Sequence, residues 1–116
     1  MEISVRYKED ITIFDLWGEL VGDARFDFNK ILREELDKPH NKPQKGIIIN
    51  LKEVPMIDSV GLGIFVAAYT TLTKQSQKLV LLNVGRSIRY LLITTKLNQI
   101  FEKYYDEEEA IESFKE

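Results

Sequence analysis

Residues 46–63 read GIIINLKEVPMIDSVGLG, and this stretch decides the fold. Its first part, residues 46–51, is a short isoleucine-rich run without polar alternation. Such a run predicts a strand covered on both faces, as in a parallel or mixed sheet with helices on each side. After Pro55 the pattern changes, and residues 60–75 are predicted to form a helix. A buried strand followed by a helix is the repeating unit of α/β domains.

The most distinctive residue in this stretch is Ser59, which follows Asp58 and precedes two glycines, Gly61 and Gly63. Serine and aspartate are both favoured at a helix N-cap, so either Ser59 or Asp58 could cap the helix that is predicted to begin near Val60. Each glycine costs on the order of 1 kcal/mol relative to alanine inside a helix. The two costs together indicate that another part of the backbone, either of this fold or of a partner, approaches the helix closely at these glycines.

The first half of this helix is apolar on almost every side, through Leu62, Ile64, Phe65, Val66, Ala67, Ala68 and Tyr69. A helix lying on a sheet needs only one apolar stripe, so part of this surface is either deeply buried or used for contact. A phosphate on Ser59 would lie at the helix N-terminus, where free N–H groups and the helix dipole favour an anion. Its added charge of about −1.5 to −2 would repel a partner docked on the apolar surface. The segment therefore predicts a phosphorylatable binding surface rather than a catalytic one.

The rest of the chain alternates between strands and helices. Strands are predicted at residues 3–7, 11–17, 46–51, 79–83 and 100–105, and helices from Asp23 to Pro39, at 60–75, at 87–94 and after Asp106. A polar break at residues 9–10 joins the first two strands as a hairpin, and Asp23 and Asp106 are the expected N-caps of the first and last helices. We therefore predict one α/β domain over residues 1–116. Its mixed sheet has four or five strands, with an N-terminal hairpin and about four helices.

Composition narrows the classes of function. The chain has 116 residues, a net charge of −3 and scattered basic residues, which argues against a nucleic-acid surface. It has no cysteine, which removes disulfides, thiol catalysis and thiolate metal sites and fits a reducing compartment. No signal peptide is visible, and no apolar run approaches the roughly 18 residues that a membrane span needs. A cytoplasmic protein without a membrane segment is expected.

The residues that catalysis usually requires are also scarce. His40 is the only histidine and lies in a polar loop, where it is expected to be a solvated surface residue. Without a second histidine or any cysteine, neither a Ser-His-Asp triad of the usual kind nor a zinc site has its parts. The Gly61-Leu62-Gly63 segment continues with Ile64-Phe65, so it matches neither a P-loop nor a dinucleotide-binding fingerprint. We therefore expect a protein that is not an enzyme and that has no cofactor and no metal site.

The segment at residues 50–63, NLKEVPMIDSVGLG, resembles the signature of the STAS domain, and most closely that of bacterial anti-sigma factor antagonists. Residues 17–20, WGEL, resemble the Gly-Glu-Leu of the family after the second strand, and the order of elements agrees along nearly the whole chain. The resemblance implies a monomeric partner switch. The unphosphorylated antagonist binds an anti-sigma factor that is also a serine kinase, which frees the sigma factor. The kinase then phosphorylates Ser59, and a metal-dependent serine phosphatase restores it. The implied partner-binding residues are Asp23, Asp58, Ser59, Val60, Gly61, Leu62 and Gly63.

Two positions depart from the family pattern. Val21 stands where the family often has an aspartate after Gly-Glu-Leu. Asp23 either replaces that aspartate or only caps the first helix, and the sequence does not choose between these two roles. Lys96 stands in the turn after the third helix, where the family commonly has a glycine, and this replacement affects the turn. Both departures bear on which partner is recognised, and neither involves Ser59.

Three other functions compete with this interpretation. A STAS scaffold or transporter-associated module would bind protein without being phosphorylated. A receiver-like domain would need an acceptor aspartate at the end of the central strand, where this chain has Asn50-Leu51. A small hydrolase would need a base beside Ser59. The last two rank well below the antagonist.

Overall fold

The computed structural model describes residues 1–115, which form a five-stranded sheet in the order β1-β2-β3-β4-β5. Its elements in chain order are β1 (Glu2–Lys8), β2 (Ile11–Trp17), α1 (Asp23–Asp37), β3 (Gly46–Glu53), α2 (Ser59–Lys74), β4 (Lys78–Leu82), α3 (Arg86–Thr94), β5 (Glu102–Tyr104) and α4 (Glu107–Glu112). The predicted α/β architecture, with a mixed sheet and four helices, is confirmed.

The first two strands form the predicted hairpin. They pair antiparallel, with Val5 opposite Phe14. The turn between them consists of Glu9 and Asp10, whose φ angles of 52° and 66° are both left-handed. Two left-handed residues in succession make a type I′ turn, whose twist matches that of the flanking strands. All later strand pairs are parallel, so each needs a crossover helix.

The two faces of the sheet carry separate cores. On one face, α1, α2 and α3 cover the sheet, and Phe14, Phe28 and Phe65 pack edge to face with centroid separations of 6.0 and 5.8 Å. On the other face, α4 and Phe114 cover a smaller cluster that includes Ile48. Every residue from Ile47 to Ile49 is buried, which confirms the strand predicted to be covered on both faces.

A row of polar contacts ties α4 to the hairpin across this second face. Arg6 Nη2 donates to Glu107 Oε1 at 2.7 Å, and Arg6 Nε donates to Asp15 Oδ2 at 2.6 Å. Asn50 Nδ2 donates to the other oxygen of Asp15 at 2.8 Å. Burial alone would raise the pKa of Asp15, but the hydrogen bonds from Arg6 and Asn50 outweigh it and lower that pKa. The hydrogen bond from Arg6 likewise lowers the pKa of Glu107 against its partial burial.

The parallel strands bring three helix N-termini to one edge of the sheet. Because β2, β3 and β4 run in the same direction, the loops that follow them meet at their carboxyl ends. The loops after β2 and β3 continue the parallel pairing of these two strands. Leu20 N donates to the carbonyl of Met56 at 2.9 Å, and Leu20 and Ile57 form an isolated parallel bridge. This pairing holds the start of α2 beside the start of α1.

The structure corrects several predicted element ends. Gly22, with φ 59° and ψ −136°, is the N-cap of α1, and Asp23 is the first helical residue without a capping bond. Such a φ favours glycine, so the chain turns into the helix one residue before Asp23. The helix predicted from Val60 begins at Ser59. Asn83 was predicted to end β4 but has a left-handed φ of 60°, which takes it out of the strand. Asp106 does cap α4, because its carboxylate accepts from Glu109 N at 3.0 Å.

No helix within residues 1–115 combines the length and the apolar character needed to cross a membrane.

Candidate functional site

The N-terminus of α2 is capped by Asp58 and not by Ser59. Asp58 Oδ1 accepts from the backbone N–H of Gly61 at 2.8 Å, and the Asp58 carbonyl accepts the first helical bond from Leu62. Ser59 is therefore the first residue inside the helix, and it is exposed. Of the two capping residues that the sequence allowed, the structure selects Asp58, which leaves the Ser59 hydroxyl outside the cap.

A second contact joins Asp58 to α1. Arg25 Nη1 donates to Asp58 Oδ2 at 3.2 Å, and Arg25 Nε donates to the carbonyl of Gly22 at 3.0 Å. Both oxygens of Asp58 are thus engaged, one by the helix and one by a guanidinium. The carboxylate next to Ser59 therefore serves to fix the two helix N-termini together. Sequence reasoning missed Arg25, because its partner lies 33 positions away and no local pattern marks the pair.

The two glycines of the motif lie in different surroundings. A Cβ built on Gly61 would come within 3.0 Å of the Leu20 carbonyl oxygen and 2.9 Å of Ile57 Cγ1. This glycine therefore permits the close approach of the two loops inside the fold. A Cβ built on Gly63 would meet nothing within 4 Å, and Gly63 is exposed. Nothing within residues 1–115 requires a glycine at this position, so Gly63 leaves open space on the surface of α2.

Exposed apolar side chains lie near Ser59 in the chain and on the first turn of α1. Val60 is 58% exposed, Met56 is 45% exposed, and Phe26 on the first turn of α1 is 68% exposed. The guanidinium of Arg25 lies 5.9 Å from the centroid of the Phe26 ring, so the aromatic side chain is linked to Asp58 through this arginine. We call Phe26, Met56, Ser59, Val60 and Gly63 together the Ser59 surface.

The residues predicted to bind a partner divide into accessible and buried groups. Ser59, Val60, Gly63 and Asp23 are exposed, and Asp58 is half-buried. Gly61 and Leu62 are buried, with Leu62 only 2% exposed, so in this conformation they support the surface from beneath. Asp23 lies in the same turn of α1 as Arg25, close to the contact between the two helices. The exposure of Phe26 and Met56 was not predicted, because an isolated apolar residue in a sequence is usually assigned to the core.

The only histidine is remote from Ser59. His40 lies in the loop before β3, where it lines a surface cleft with Tyr7 and Lys38. Ser59 follows the other end of β3, which has eight residues and so spans about 26 Å. Within residues 1–115 no three His, Cys, Asp or Glu side chains are grouped to hold a metal ion. The site therefore offers an exposed hydroxyl at a helix N-terminus, next to a carboxylate whose two oxygens are already engaged.

The fold that carries this site is shared with proteins of known structure. The STAS domain family model matches residues 2–110. A Thermotoga maritima protein provisionally assigned as an anti-sigma factor antagonist is 25% identical, with a TM-score of 0.87, over 98% of this chain and 95% of its own. The Bacillus cell fate determinant SpoIIAA in its phosphorylated form is 20% identical, with a TM-score of 0.74, over 97% of this chain and 98% of its own.

The fold is not confined to antagonists. A Wolinella succinogenes protein of the sulfate transporter family is 18% identical, with a TM-score of 0.76, over 93% of this chain and 87% of its own. The comparison with curated protein sequences finds no significant match. The family model covers nearly the whole chain, and each of these three structures aligns with at least 93% of it. The chain belongs to the STAS domain family.

Proposed function

We propose that this protein is an anti-sigma factor antagonist that acts by partner switching, with Ser59 as its phosphorylated residue. The observation that carries the proposal is the placement of Ser59, which is exposed, lies outside the helix cap and has the exposed apolar residues Met56 and Val60 nearby in the chain. The likeness to proteins described as anti-sigma factor antagonists supports it, since one of them, SpoIIAA, is described in both an unphosphorylated and a phosphorylated form.

In the proposed cycle this chain is a substrate and not an enzyme. The unphosphorylated Ser59 surface binds an anti-sigma factor with serine kinase activity, which releases the sigma factor. The kinase then transfers the γ-phosphoryl group of ATP to Ser59 Oγ. A new O–P bond forms, the bond to the β-phosphate breaks, ADP leaves, and the serine proton passes to a base of the kinase. A metal-dependent serine phosphatase hydrolyses the phosphoserine and restores the hydroxyl.

Phosphate at this position would change binding without unfolding the protein. Ser59 and Val60 occupy the first two helical positions, whose N–H groups have no acceptor inside the helix. These groups and the dipole stabilise an anion there. A charge of about −1.5 to −2 beside Val60 and Met56 would, however, oppose the burial of those side chains against a partner. The effect of phosphorylation is thus local to the Ser59 surface.

The proposal is tested by incubating the protein with ATP and each candidate anti-sigma factor kinase of its source organism, and mapping phosphate by mass spectrometry. Binding to the same kinases is then compared for wild type, Ser59→Ala and Ser59→Asp. A matched control is Ser76→Asp, which adds the same charge at an exposed serine just beyond the other end of α2. We expect phosphate on Ser59 alone, binding by Ser59→Ala and Ser76→Asp, and at least about tenfold weaker binding by Ser59→Asp.

The alternative is a STAS scaffold or transporter-associated module that binds protein without being phosphorylated. The space beside Gly63 and the exposed apolar side chains would serve such a module equally well, because neither depends on the serine hydroxyl. Equal binding by all four proteins, with no phosphate on Ser59, would contradict the switch and favour the scaffold. We propose a cytoplasmic, monomeric protein in either case.

A further inference from the structure

A second exposed surface lies on α3, which covers the same sheet face as α2. Four of its exposed residues recur at helical spacing and are Arg86, Arg89, Tyr90 and Ile93. Tyr90 is 71% exposed and Ile93 is 55% exposed, which are among the highest values for large apolar residues in residues 1–115. Lys96 follows the helix and is also exposed. We call Arg86, Arg89, Tyr90, Ile93 and Lys96 the α3 surface.

The charge of this region is opposite to that of the whole chain. The protein has a net charge of −3, yet between Glu53 and Glu102 its only acidic residue is Asp58. The same segment has five basic residues, Lys74, Lys78, Arg86, Arg89 and Lys96. Asp58 is paired with Arg25, and Lys78 is paired with Glu102. Within residues 1–115, no acidic side chain lies within salt-bridge distance of the three cations of the α3 surface.

The C-terminal end of the α3 surface is concave. Ile93 and Lys96 line a surface cleft of about 380 Å³ together with Asn98 and Gln99. One wall of this cleft is aliphatic, and a lysine lies beside it. The cleft therefore fits an apolar side chain whose neighbour in the partner carries a carboxylate.

We infer that the α3 surface binds an acidic amphipathic segment of a partner protein. Carboxylates of that segment pair with Arg86, Arg89 and Lys96, and its apolar side chains pack on Tyr90 and Ile93. The α3 surface has three cations interleaved with exposed apolar side chains, and the whole chain has a net negative charge. Such a surface fits a protein segment better than a nucleic acid, because nucleic-acid binding requires a denser basic stripe. The inference does not rest on the proposed function, because no residue of the α3 surface belongs to the Ser59 surface.

The test measures binding of a fluorescein-labelled helical peptide of glutamate, leucine and alanine by fluorescence anisotropy at 50 mM salt. The charge-reversal variant Arg86→Glu/Arg89→Glu is compared with Lys42→Glu/Lys45→Glu, which makes the same change of charge in the exposed loop before β3. We expect at least about tenfold weaker binding for the α3 variant and less than about twofold for the loop variant. Ser59→Asp is also expected to bind within about twofold of wild type.

A second variant, Tyr90→Ser, removes apolar area without changing charge, and we expect it to weaken peptide binding at least about fivefold. Circular dichroism of each variant verifies that the fold is retained. The inference is overturned if wild type does not bind the peptide, or if the two charge-reversal variants lose affinity equally. Tighter binding to a single-stranded oligonucleotide than to the peptide would also overturn it. Self-association that buries Tyr90 would overturn it as well. It would be seen as a dimer in sedimentation that the Arg86→Glu/Arg89→Glu variant dissociates.

Discussion

The two motif glycines should respond in opposite directions to the same substitution. Gly63→Ala adds a methyl group in open space on an exposed helix position. The variant should gain the ordinary difference between the helix propensities of alanine and glycine, about 1 kcal/mol in the free energy of unfolding. For a domain of this length, that gain raises Tm by roughly 4 °C.

Gly61→Ala gains the same helix propensity but must place its methyl group 3.0 Å from the Leu20 carbonyl oxygen. That oxygen belongs to the backbone of the loop before α1, which is paired with the loop before α2 through the bond from Leu20 N to Met56 O. Relief of the contact requires the two loops to separate, and overpacking of this kind costs about 1–3 kcal/mol. We expect Gly61→Ala to lower the free energy of unfolding by about 1 kcal/mol net.

Urea denaturation of wild type, Gly61→Ala and Gly63→Ala measures both effects under one set of conditions. We expect the free energies of unfolding of the two variants to differ by about 2 kcal/mol, with opposite signs relative to wild type. Equal stabilisation by both would refute the close approach at Gly61, and destabilisation by Gly63→Ala would refute the open space at Gly63. If Gly63 is retained for a partner, the more stable Gly63→Ala protein should also bind that partner more weakly.

Three further predictions concern the cap, the turn after α3 and the polar row beneath α4. Asp58→Ala should lower the free energy of unfolding by about 1–2 kcal/mol, because it removes the cap of α2, whereas Ser59→Ala should lower it by less than about 0.5 kcal/mol. Urea denaturation measures both values, and an equal loss would mean that Ser59 shares the cap. Lys96 has a left-handed φ of 64°, so Lys96→Gly should stabilise by up to about 1 kcal/mol after the entropy of glycine is counted, and destabilisation would contradict this. The pKa of Asp15 is lowered from its ordinary value of 3.8, so its pairing with Arg6 stabilises the folded state fully at pH values above 3.8. This stabilisation is lost as the pH falls through the lowered pKa of the folded state. Arg6→Met should therefore lower Tm less at pH 3 than at pH 6, and an equal loss at both pH values would refute the assignment.

Much of the fold could be predicted because its signals are local. The isoleucine run of β3 is buried on both faces, and its composition alone indicates this. The hairpin and the cap of α4 follow from short patterns whose causes lie within a few residues. The end of β4 was predicted one residue too far, because the left-handed backbone of Asn83 is not visible in an apolar run that continues to Val84.

The candidate site was less predictable because it depends on contacts between distant segments. The sequence marked Ser59 and both glycines, but it did not show which glycine faces the fold and which faces solvent. That difference arises from the approach of the Leu20 loop, some 40 positions earlier. The pairing of Arg25 with Asp58 likewise depends on the approach of two distant segments. The choice of Asp58 as the cap depends on the same approach. Leu62 was predicted to contact a partner, and only the packing of α2 on the sheet shows that it is buried.

The most direct test of the account compares the affinity of one anti-sigma factor kinase for this protein before and after stoichiometric phosphorylation of Ser59. Isothermal titration calorimetry at fixed salt gives both dissociation constants with the same preparation. We expect phosphorylation to weaken binding by more than tenfold, or about 1.4 kcal/mol, while Tm changes little. Equal affinity of the two forms for a kinase that binds the unphosphorylated protein would contradict it.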